Sequence, residues 1–335
     1  MNTLLIAVFV MTYAAIAFEH PIKINKSATA LIGAGLLWTI YAVSGPEAKV
    51  VETAMGESLM STAQIVFFLI GAMTIVEVVA AHNGFEVITS RIRTTQLSSL
   101  MWLVGFVTFF LSAILDNLTT TIVMVSLMKK LLDKREDRLF FAGMIVIAAN
   151  AGGAWTPIGD VTTTMLWIGG QISATTIITQ VFVPSLISVI IPLLALGMAL
   201  KGNDDMQEKT TNLHHGVKSS TRNMVLVIGL LSLLFVPAFK TLTGLPPFMG
   251  MLFSLGVMWL ITEFIHNGKA NIDKDSLSVN YAIRKIDTPS ILFFLGILIS
   301  VAALQSSGVL TDVAGKLTYL IGNQKLIVAS LGILS

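Results

Sequence analysis

Long apolar stretches separated by short polar segments run along nearly the whole chain. They fall at about 3–18, 28–44, 63–81, 98–132, 139–200, 223–239, 247–265, 288–304 and 323–335. Several have the ~17–25 residues that a helix needs to cross the hydrocarbon core of a bilayer. Stretch 139–200 is long enough for more than one pass. The pattern therefore predicts an all-α, polytopic membrane protein.

The composition supports this prediction and excludes other classes of protein. Charged residues make up 12% of the 335 residues, about half of the ~25% that soluble chains carry. The chain has no Cys, which excludes disulfides, thiolate metal sites and thiol catalysis. A net charge of +2 without a basic block argues against nucleic acid as a partner. Because Met1–Phe18 lacks a basic n-region and a cleavage site, we expect a retained helix there.

Basic residues in the short loops predict how the chain crosses the membrane. Lys and Arg mark the cytoplasmic side, which puts loops 19–27 and 82–97 inside and the acidic loop 45–62 outside. Loop 129–138 is strongly basic and also belongs inside. Stretch 98–128 must therefore leave and return on one face, as a re-entrant hairpin or as two short helices. Asp116-Asn117 would lie near its tip.

The two ends of the chain resemble each other when one is shifted by about 221–226 residues. Gly33–Trp38 then lies over Ser254–Trp259, and Ile65–Leu69 lies over Ile291–Leu295. The equivalent loops carry opposite charge patterns, which predicts a second copy of opposite orientation, as in the inverted repeats of secondary transporters.

This shift also predicts a division of the chain. We expect a first repeat in 1–200, a cytoplasmic connector in 201–222 and a partial second repeat in 223–335. Leu103–Ser112 aligns with Leu326–Ser335, so we expect a truncated second copy whose site residues would follow Ser335.

Three acidic residues fall in apolar surroundings: Glu77, Asp116 and Asp160. Apart from Lys129, Lys130 and Lys325 near the ends of their stretches, no Lys or Arg falls inside the predicted apolar stretches. A carboxylate at the bilayer centre costs ~2.5–3.5 kcal/mol, so each needs a proton, a cation or hydrogen-bond donors. For Glu77, helical spacing puts Thr74 one turn earlier, and an interhelical hydrogen bond explains Glu77 as well as transport does.

Asp116 and Asp160 each stand before a run of three Thr residues. Asp116 opens Asp-Asn-Leu-Thr-Thr-Thr, and Asp160 closes the Gly- and Pro-rich segment that begins at Asn150. Gly152, Gly153, Pro157 and Gly159 should unwind a helix there and free carbonyl oxygens. Hard cations prefer such all-oxygen ligand shells. Each Asp could alternatively be only the N-cap of the following helix, although capping and ion binding can coexist.

The chain resembles the NhaD-type sodium/proton antiporters of the ion transporter superfamily. Phe18–Lys26, Ser112–Thr121 and Asn150–Thr163 carry the resemblance. It implies extrusion of Na⁺, and often Li⁺, coupled to H⁺ entry across a bacterial inner membrane or an organellar equivalent. It also implies an inverted-repeat scaffold with hairpins and broken helices, commonly dimeric. Its cation- and proton-binding residues correspond here to Asp116, Asn117, Asn150, Asp160, Thr162 and Thr163.

These observations favour a secondary Na⁺/H⁺ antiporter that is not an enzyme. We expect Asp116 and Asp160 to bind Na⁺ or protons in turn, with Glu77, Thr119 and Thr120 as accessory residues. The expected partners are Na⁺, H⁺, the lipid bilayer and a second copy of the chain, with no cofactor. A permease for arsenite or an organic anion on the same fold is the main alternative. An intramembrane aspartyl protease and a structural membrane protein are others, although Pro157-Ile-Gly-Asp160 lacks the protease's Gly-x-Gly-Asp motif.

Overall fold

The computed structural model describes residues 2–89, 96–132, 134–200, 218–266 and 276–334, which are helical and contain no strand. This confirms the predicted all-α class. The helices are α1 Asn2–Ala17, α2 Glu19–Ile22, α3 Lys26–Val43, α4 Ala48–Ala81, α5 Glu86–Thr89, α6 Leu97–Ser112, α7 Asn117–Leu131, α8 Arg135–Ala154, α9 Val161–Ile168, α10 Ala174–Ala199, α11 Ser219–Thr243, α12 Pro247–His266, α13 Val279–Lys285, α14 Thr288–Ser306, α15 Val309–Ile321 and α16 Gln324–Leu334.

Six of these helices are long and apolar enough to cross a membrane: α3, α4, α10, α11, α12 and α14. Large apolar side chains lie on the surface of these helices and remain exposed, as at Ile32, Ile191 and Leu260. A soluble protein would expose that much contiguous apolar surface only at an interface. The chain is an integral, multi-pass membrane protein.

The predicted loops are shorter in the structure than in the sequence analysis. α4 begins at Ala48 and is 34 residues long, or about 51 Å at 1.5 Å per residue. The prediction of a loop at 45–62 is therefore wrong for most of that segment. Its Ala, Met and Glu residues favour a helix whether or not lipid surrounds them. Loops 19–27 and 82–97 likewise contain α2 and α5. Residues 90–95 and 201–217, with most of the predicted connector, lie outside the described residues.

The chain forms two compact units, the first made of Met1–Val66 and Asp287–Ser335. In this unit α3 packs against α1 and α14. Trp38 Nε1 donates to the carbonyl oxygen of Ile299 at 2.9 Å. A side chain at Gly296 would place its Cβ 2.9 Å from the Cβ of Ala30, so glycine allows these two helices to touch.

The second unit, Phe67–Ile286, contains two groups of helices. α6, α7, α8 and α10 pack against one another, and α11 packs against α12. The second half of α4 joins the latter group: a Cβ on Gly71 would meet Met251 Cγ at 2.6 Å, and one on Gly229 would meet Val79 Cγ2 at 2.4 Å. The first group contains the candidate site.

The helix pairs in both units bear on the predicted repeat. Under the shift, α12 is the counterpart of α3, and α14 is the counterpart of α4. Gly296 of α14 contacts Ala30 of α3, and Gly71 of α4 contacts Met251 of α12. Each contact joins a helix of one predicted repeat to a helix of the other. The compact units therefore cut across the predicted boundaries at 200 and 223, and the inverted repeat stays a prediction.

Candidate functional site

Two interruptions of helical structure lie side by side in the second unit. α6 ends at Ser112 and α7 begins at Asn117, so stretch 98–128 forms two short helices joined by a turn. α8 ends at Ala154 and α9 begins at Val161. Both Asp116 and Asp160 stand at the last position before the new helix. Both breaks lie where the sequence predicts them.

The second break depends on Pro157 and Gly159 and not on the two preceding glycines. Thr156 Oγ1 accepts a hydrogen bond from Gly159 N at 3.0 Å, and Thr164 Oγ1 donates to Pro157 O at 3.0 Å. These side chains replace the helical partners that the break removes. Gly152 and Gly153 remain inside α8, so the prediction that they help unwind the helix is wrong.

Gly152 instead allows two helix pairs, α6 with α7 and α8 with α9, to approach each other closely. A Cβ on Gly152 would lie 2.1 Å from the carbonyl oxygen of Phe109 in α6. Ser112 Oγ donates to Ala149 O at 2.6 Å, and Thr156 Oγ1 donates to Ala113 O at 2.6 Å. The hydroxyl groups thus satisfy carbonyls at the ends of α6 and α8, and their hydrogen bonds join the two breaks.

Asp116 is half-buried and caps α7. Its Oδ1 accepts from the backbone N–H of Thr119 at 2.8 Å, and its Oδ2 accepts from Thr119 Oγ1 at 2.6 Å. The predicted alternative, that Asp116 is the N-cap of the following helix, is therefore correct for the local structure. A carboxylate has about four lone-pair sites, so both oxygens can still accept a proton or contact a cation.

Asp160 caps α9 and also receives a hydrogen bond from the neighbouring helix pair. Its Oδ1 accepts from Thr162 N at 2.7 Å, and its Oδ2 accepts from Asn117 Nδ2 at 2.6 Å. The same Nδ2 donates to Asn150 Oδ1 at 3.0 Å. Asn117 therefore joins the two predicted motifs into one polar cluster, the "carboxylate cluster" of Asp116, Asn117, Asn150 and Asp160.

The groups around the carboxylate cluster would offset only part of its charge if both carboxylates were ionised. Within the described residues, neither Asp116 nor Asp160 forms an ion pair with Lys or Arg. The N-termini of α7 and α9 face the two carboxylates, and each helix end is equivalent to about half a positive charge. Two ionised carboxylates would leave about one negative charge uncompensated. One monovalent cation or one proton has the charge that the cluster lacks.

The remaining predicted residues lie around this cluster in different roles. Thr163 Oγ1 donates to the carbonyl oxygen of Asp160 at 2.9 Å, and the side chain of Thr162 is exposed. Thr120 is fully buried, and its Oγ1 has no hydrogen-bond partner among the described residues. Thr120 is thus an additional oxygen near Asp116, whose carbonyl accepts from Thr120 N at 3.0 Å.

Glu77 is not part of the carboxylate cluster. It lies half-buried in α4 and has no hydrogen bond to the cluster in the described part of the chain. Thr74 Oγ1 donates to Ile70 O at 2.6 Å, so Thr74 does not bind Glu77. Nothing in the arrangement connects Glu77 with Asp116 or Asp160.

Lys240 contacts the far end of α9 and was missed in the sequence analysis. α11 extends to Thr243, so this lysine lies inside a helix and not beyond an apolar stretch that ends at 239. Its Nζ donates to Trp167 O at 2.9 Å and lies 4.6 Å from the centroid of the Trp167 ring. A single Lys near a helix end gives no sequence signal for such a contact.

Comparison with known proteins identifies the type of protein that carries this cluster. The family model described as "Citrate transporter" (CitMHS) matches residues 13–335. The chain belongs to this family. Its members are transporters and not enzymes, in agreement with the predicted class.

Several relatives of this chain have more specific names. "Sodium/proton antiporter 1" of Arabidopsis thaliana is 46% identical over 98% of this chain, and the chain spans 56% of that relative's length. "Sodium/proton antiporter 2" of the same plant is 43% identical, with 98% of this chain and 78% of the relative covered. "Na(+)/H(+) antiporter NhaD" of Vibrio cholerae is 26% identical, with 90% and 68% covered. These names confirm the resemblance to NhaD-type antiporters.

Proposed function

We propose that this chain forms part of a secondary transporter that exchanges cytoplasmic Na⁺, or Li⁺, for external H⁺ at the carboxylate cluster. The observation that carries the proposal is the bond from Asn117 Nδ2 to Asp160 Oδ2 at 2.6 Å. It gathers two carboxylates at two helix breaks without a basic partner among the described residues. The names of the relatives in Arabidopsis and Vibrio support the same ions.

In the proposed mechanism, Na⁺ and protons compete for the same oxygens. A cation is held by the carboxylates of Asp116 and Asp160, by the side-chain oxygens of Asn150 and Thr120, and by backbone carbonyls at the breaks. When protons occupy the carboxylates, the excess negative charge is gone and the cation leaves. Transport then requires that the cluster face one side of the membrane at a time, as repeat-based transporters do.

A vesicle assay on the full-length protein tests the proposal. We expect Asp160→Asn and Asp116→Asn to abolish Na⁺-driven proton flux, because each variant removes one of the two competing charges. In the unaltered protein, the apparent KM for Na⁺ should fall as pH rises, because fewer protons compete for the carboxylates.

Asp287→Asn is a matched control for the loss of a helix cap. Asp287 caps α14 by accepting from the backbone N–H and the hydroxyl of Ser290, as Asp116 does with Thr119. Replacing Asp by Asn at this cap should preserve flux. Equal loss in Asp287→Asn and Asp116→Asn would mean that capping, and not cation binding, explains Asp116. Unchanged flux in Asp160→Asn would refute the proposed site.

The family description favours a second candidate, the transport of an organic anion such as citrate. Two carboxylates without basic partners would repel an anionic substrate unless Na⁺ accompanied it. Uptake of labelled citrate into the same vesicles, with and without a Na⁺ gradient, separates the two. Citrate uptake that Asp160→Asn abolishes would favour this second candidate over ion exchange.

A further inference from the structure

Two buried histidines meet where α4 and α12 end, outside the carboxylate cluster. His82 follows α4, and His266 is the last residue of α12. They are 0% and 2% exposed, and their Nε2 atoms lie 2.7 Å apart. Their rings are nearly parallel, with centroids 5.0 Å apart and an interplanar angle of 20°. We call these two residues the histidine pair.

The hydrogen bonds determine where the protons of the histidine pair lie. His82 Nδ1 is 2.7 Å from the carbonyl oxygen of Val78. A carbonyl oxygen only accepts, so Nδ1 of His82 carries a hydrogen. In a neutral imidazole the other nitrogen is then bare. The contact between the two Nε2 atoms is therefore donated by His266 and accepted by His82.

The geometry of the histidine pair limits its charge. With one added proton, the two Nε2 atoms still share one hydrogen, and the hydrogen bond becomes charge-assisted. With two added protons, both Nε2 atoms carry a hydrogen and face each other at 2.7 Å with no acceptor between them. Two buried like charges also repel strongly. The pair can hold one positive charge but not two.

The local backbone favours that single positive charge. α4 ends in a Schellman motif, in which Gly84 N donates to Val79 O at 2.8 Å and Asn83 N donates to Ala80 O at 2.9 Å. Asn83 has the left-handed φ of +56° that this motif requires. His82 thus occupies the C-cap of α4, and His266 ends α12. Helix C-termini carry partial negative charge and stabilise a nearby cation.

Other charged groups on the elements about the pair set its electrostatic background. Among the described residues these are Glu77 of α4, Glu86 of α5, Arg222 of α11, Glu263 of α12 and Lys285 of α13. Arg222 and Glu86 form an ion pair at 3.5 Å, so they offset each other. Lys285 and Glu77 carry opposite charges, and Glu263 stands one turn before His266 in α12. None of these groups supplies an acceptor between the two Nε2 atoms.

We propose that the histidine pair is a proton-binding site that joins α4 to α12 when it holds no added proton or one, and separates when it takes up a second. An imidazole in water titrates at about pH 6.5. Separated histidines would bind two added protons at acidic pH, whereas the joined pair binds one. The junction is therefore stable at neutral and alkaline pH and is lost as pH falls. This inference does not depend on which ion the chain transports.

Amide hydrogen exchange on the full-length protein in nanodiscs tests the inference without measuring transport. Peptides that cover 78–84 and 260–266 report on the junction, after correction for the intrinsic exchange rate at each pH. Because separation takes up one further proton, the opening equilibrium should rise by up to about tenfold per pH unit below about pH 6. A flat profile of protection between pH 7.5 and 5.5 would overturn the proposal, whatever any variant does.

His266→Gln provides the decisive variant, and His20→Gln provides its control. A glutamine amide can donate to His82 Nε2 or accept from it, so the junction tolerates a charged His82. We expect His266→Gln to keep its protection within about twofold over the same pH range. His20 is exposed in α2, and His20→Gln should follow the unaltered protein. Equal acid sensitivity in His266→Gln and the unaltered protein would also overturn the proposal.

Discussion

Asn117 is the residue that makes one site out of two sequence motifs. Its Nδ2 donates to Asp160 Oδ2 at 2.6 Å and to Asn150 Oδ1 at 3.0 Å, so a single amide contacts both sides of the α8–α9 break. In the proposed mechanism, this bond holds the Asp160 carboxylate in the position in which it would contact a cation.

We predict that Asn117→Ala raises the apparent KM for Na⁺ by about tenfold or more, because a hydrogen bond to a charged group contributes roughly 1.5–3 kcal/mol. Na⁺-driven flux in vesicles measured across a pH series checks this. Thr163→Val removes a neutral hydrogen bond to the backbone carbonyl of Asp160 and leaves the bond to its carboxylate in place, so it should cost less; a larger defect there would contradict the assignment.

At this scale the sequence indicated the chemistry but not the contacts. Asp116 and Asp160 could be recognised because each precedes a Thr run in apolar surroundings. The Asn117–Asp160 bond could not, because it joins residues that are 43 positions apart and depends on how two helix pairs cross. The histidine pair was missed for the same reason, since its members are 184 positions apart.

The crossing of α6 with α8 determines where the carboxylate cluster forms. Gly152 sits at the contact, where a Cβ would lie 2.1 Å from Phe109 O. The atoms that such a Cβ would meet belong to the backbone of Phe109, which cannot move aside as a side chain can. The helix pairs must therefore separate if any larger residue replaces this glycine.

We predict that Gly152→Ala destabilises the protein by about 1–3 kcal/mol, the usual cost of overpacking, and displaces Asn117 from Asp160. Gly143 offers a control in the same helix, because nothing lies within 4 Å of a Cβ built there. Gly143→Ala should be neutral or stabilising, since alanine favours helix. Thermal unfolding of both variants in detergent checks this, and equal melting temperatures would contradict the role given to Gly152.

Lys240 lies at the opposite end of α9 from Asp160, and we propose that it is a positioning residue. Its bond to Trp167 O and its place over the Trp167 ring fix the helix whose first turn binds the carboxylate. We predict that Lys240→Met raises the KM for Na⁺ by about two- to fivefold, since such contacts contribute roughly 0.5–1 kcal/mol. Lys240→Arg keeps the charge and the donor and should restore the KM. A lowered maximal rate with unchanged KM would contradict this role.

Element boundaries were predictable where a residue forbids helix and unpredictable where none does. Pro157 and Gly159 ended α8 as expected, whereas Gly152 and Gly153 stayed helical because packing against α6 and the break holds them. Segment 48–62 contains charged residues and a single glycine, Gly56, but no proline after Pro46, and it is part of α4. Charged residues indicate that a segment lies outside the lipid, but they do not indicate whether that segment is a helix or a loop.

On the scale of the whole molecule, each compact unit contains a contact between helices that the sequence assigns to different predicted repeats. Gly296 against Ala30 and Gly71 against Met251 pair helices that the sequence shift had assigned to different copies. The shift matched Ala30 with Met251, and it matched Gly71 with a position next to Gly296. The contact of Gly296 with Ala30 is therefore the counterpart, under the shift and to within about one residue, of the contact of Gly71 with Met251. The two copies stay a prediction from sequence similarity, whereas the contacts between helices assigned to different copies come from the structure.

The orientation of the two copies is the last prediction, and it can be tested with single cysteines. Ile24 lies between α2 and α3, and Leu245 lies between α11 and α12. Their side chains are 50% and 46% exposed, so a thiol-reactive label should reach both equally well. The 335 residues contain no Cys, so Ile24→Cys and Leu245→Cys each add the only thiol within them.

Lys23 and Lys26 put the first loop inside, and inversion puts the second outside. A membrane-impermeant maleimide added to intact cells should therefore label Leu245→Cys and leave Ile24→Cys unlabelled until the cells are opened. Labelling of both positions from the same side would mean that the copies run parallel, and that the two-fold inversion proposed for alternating access does not exist.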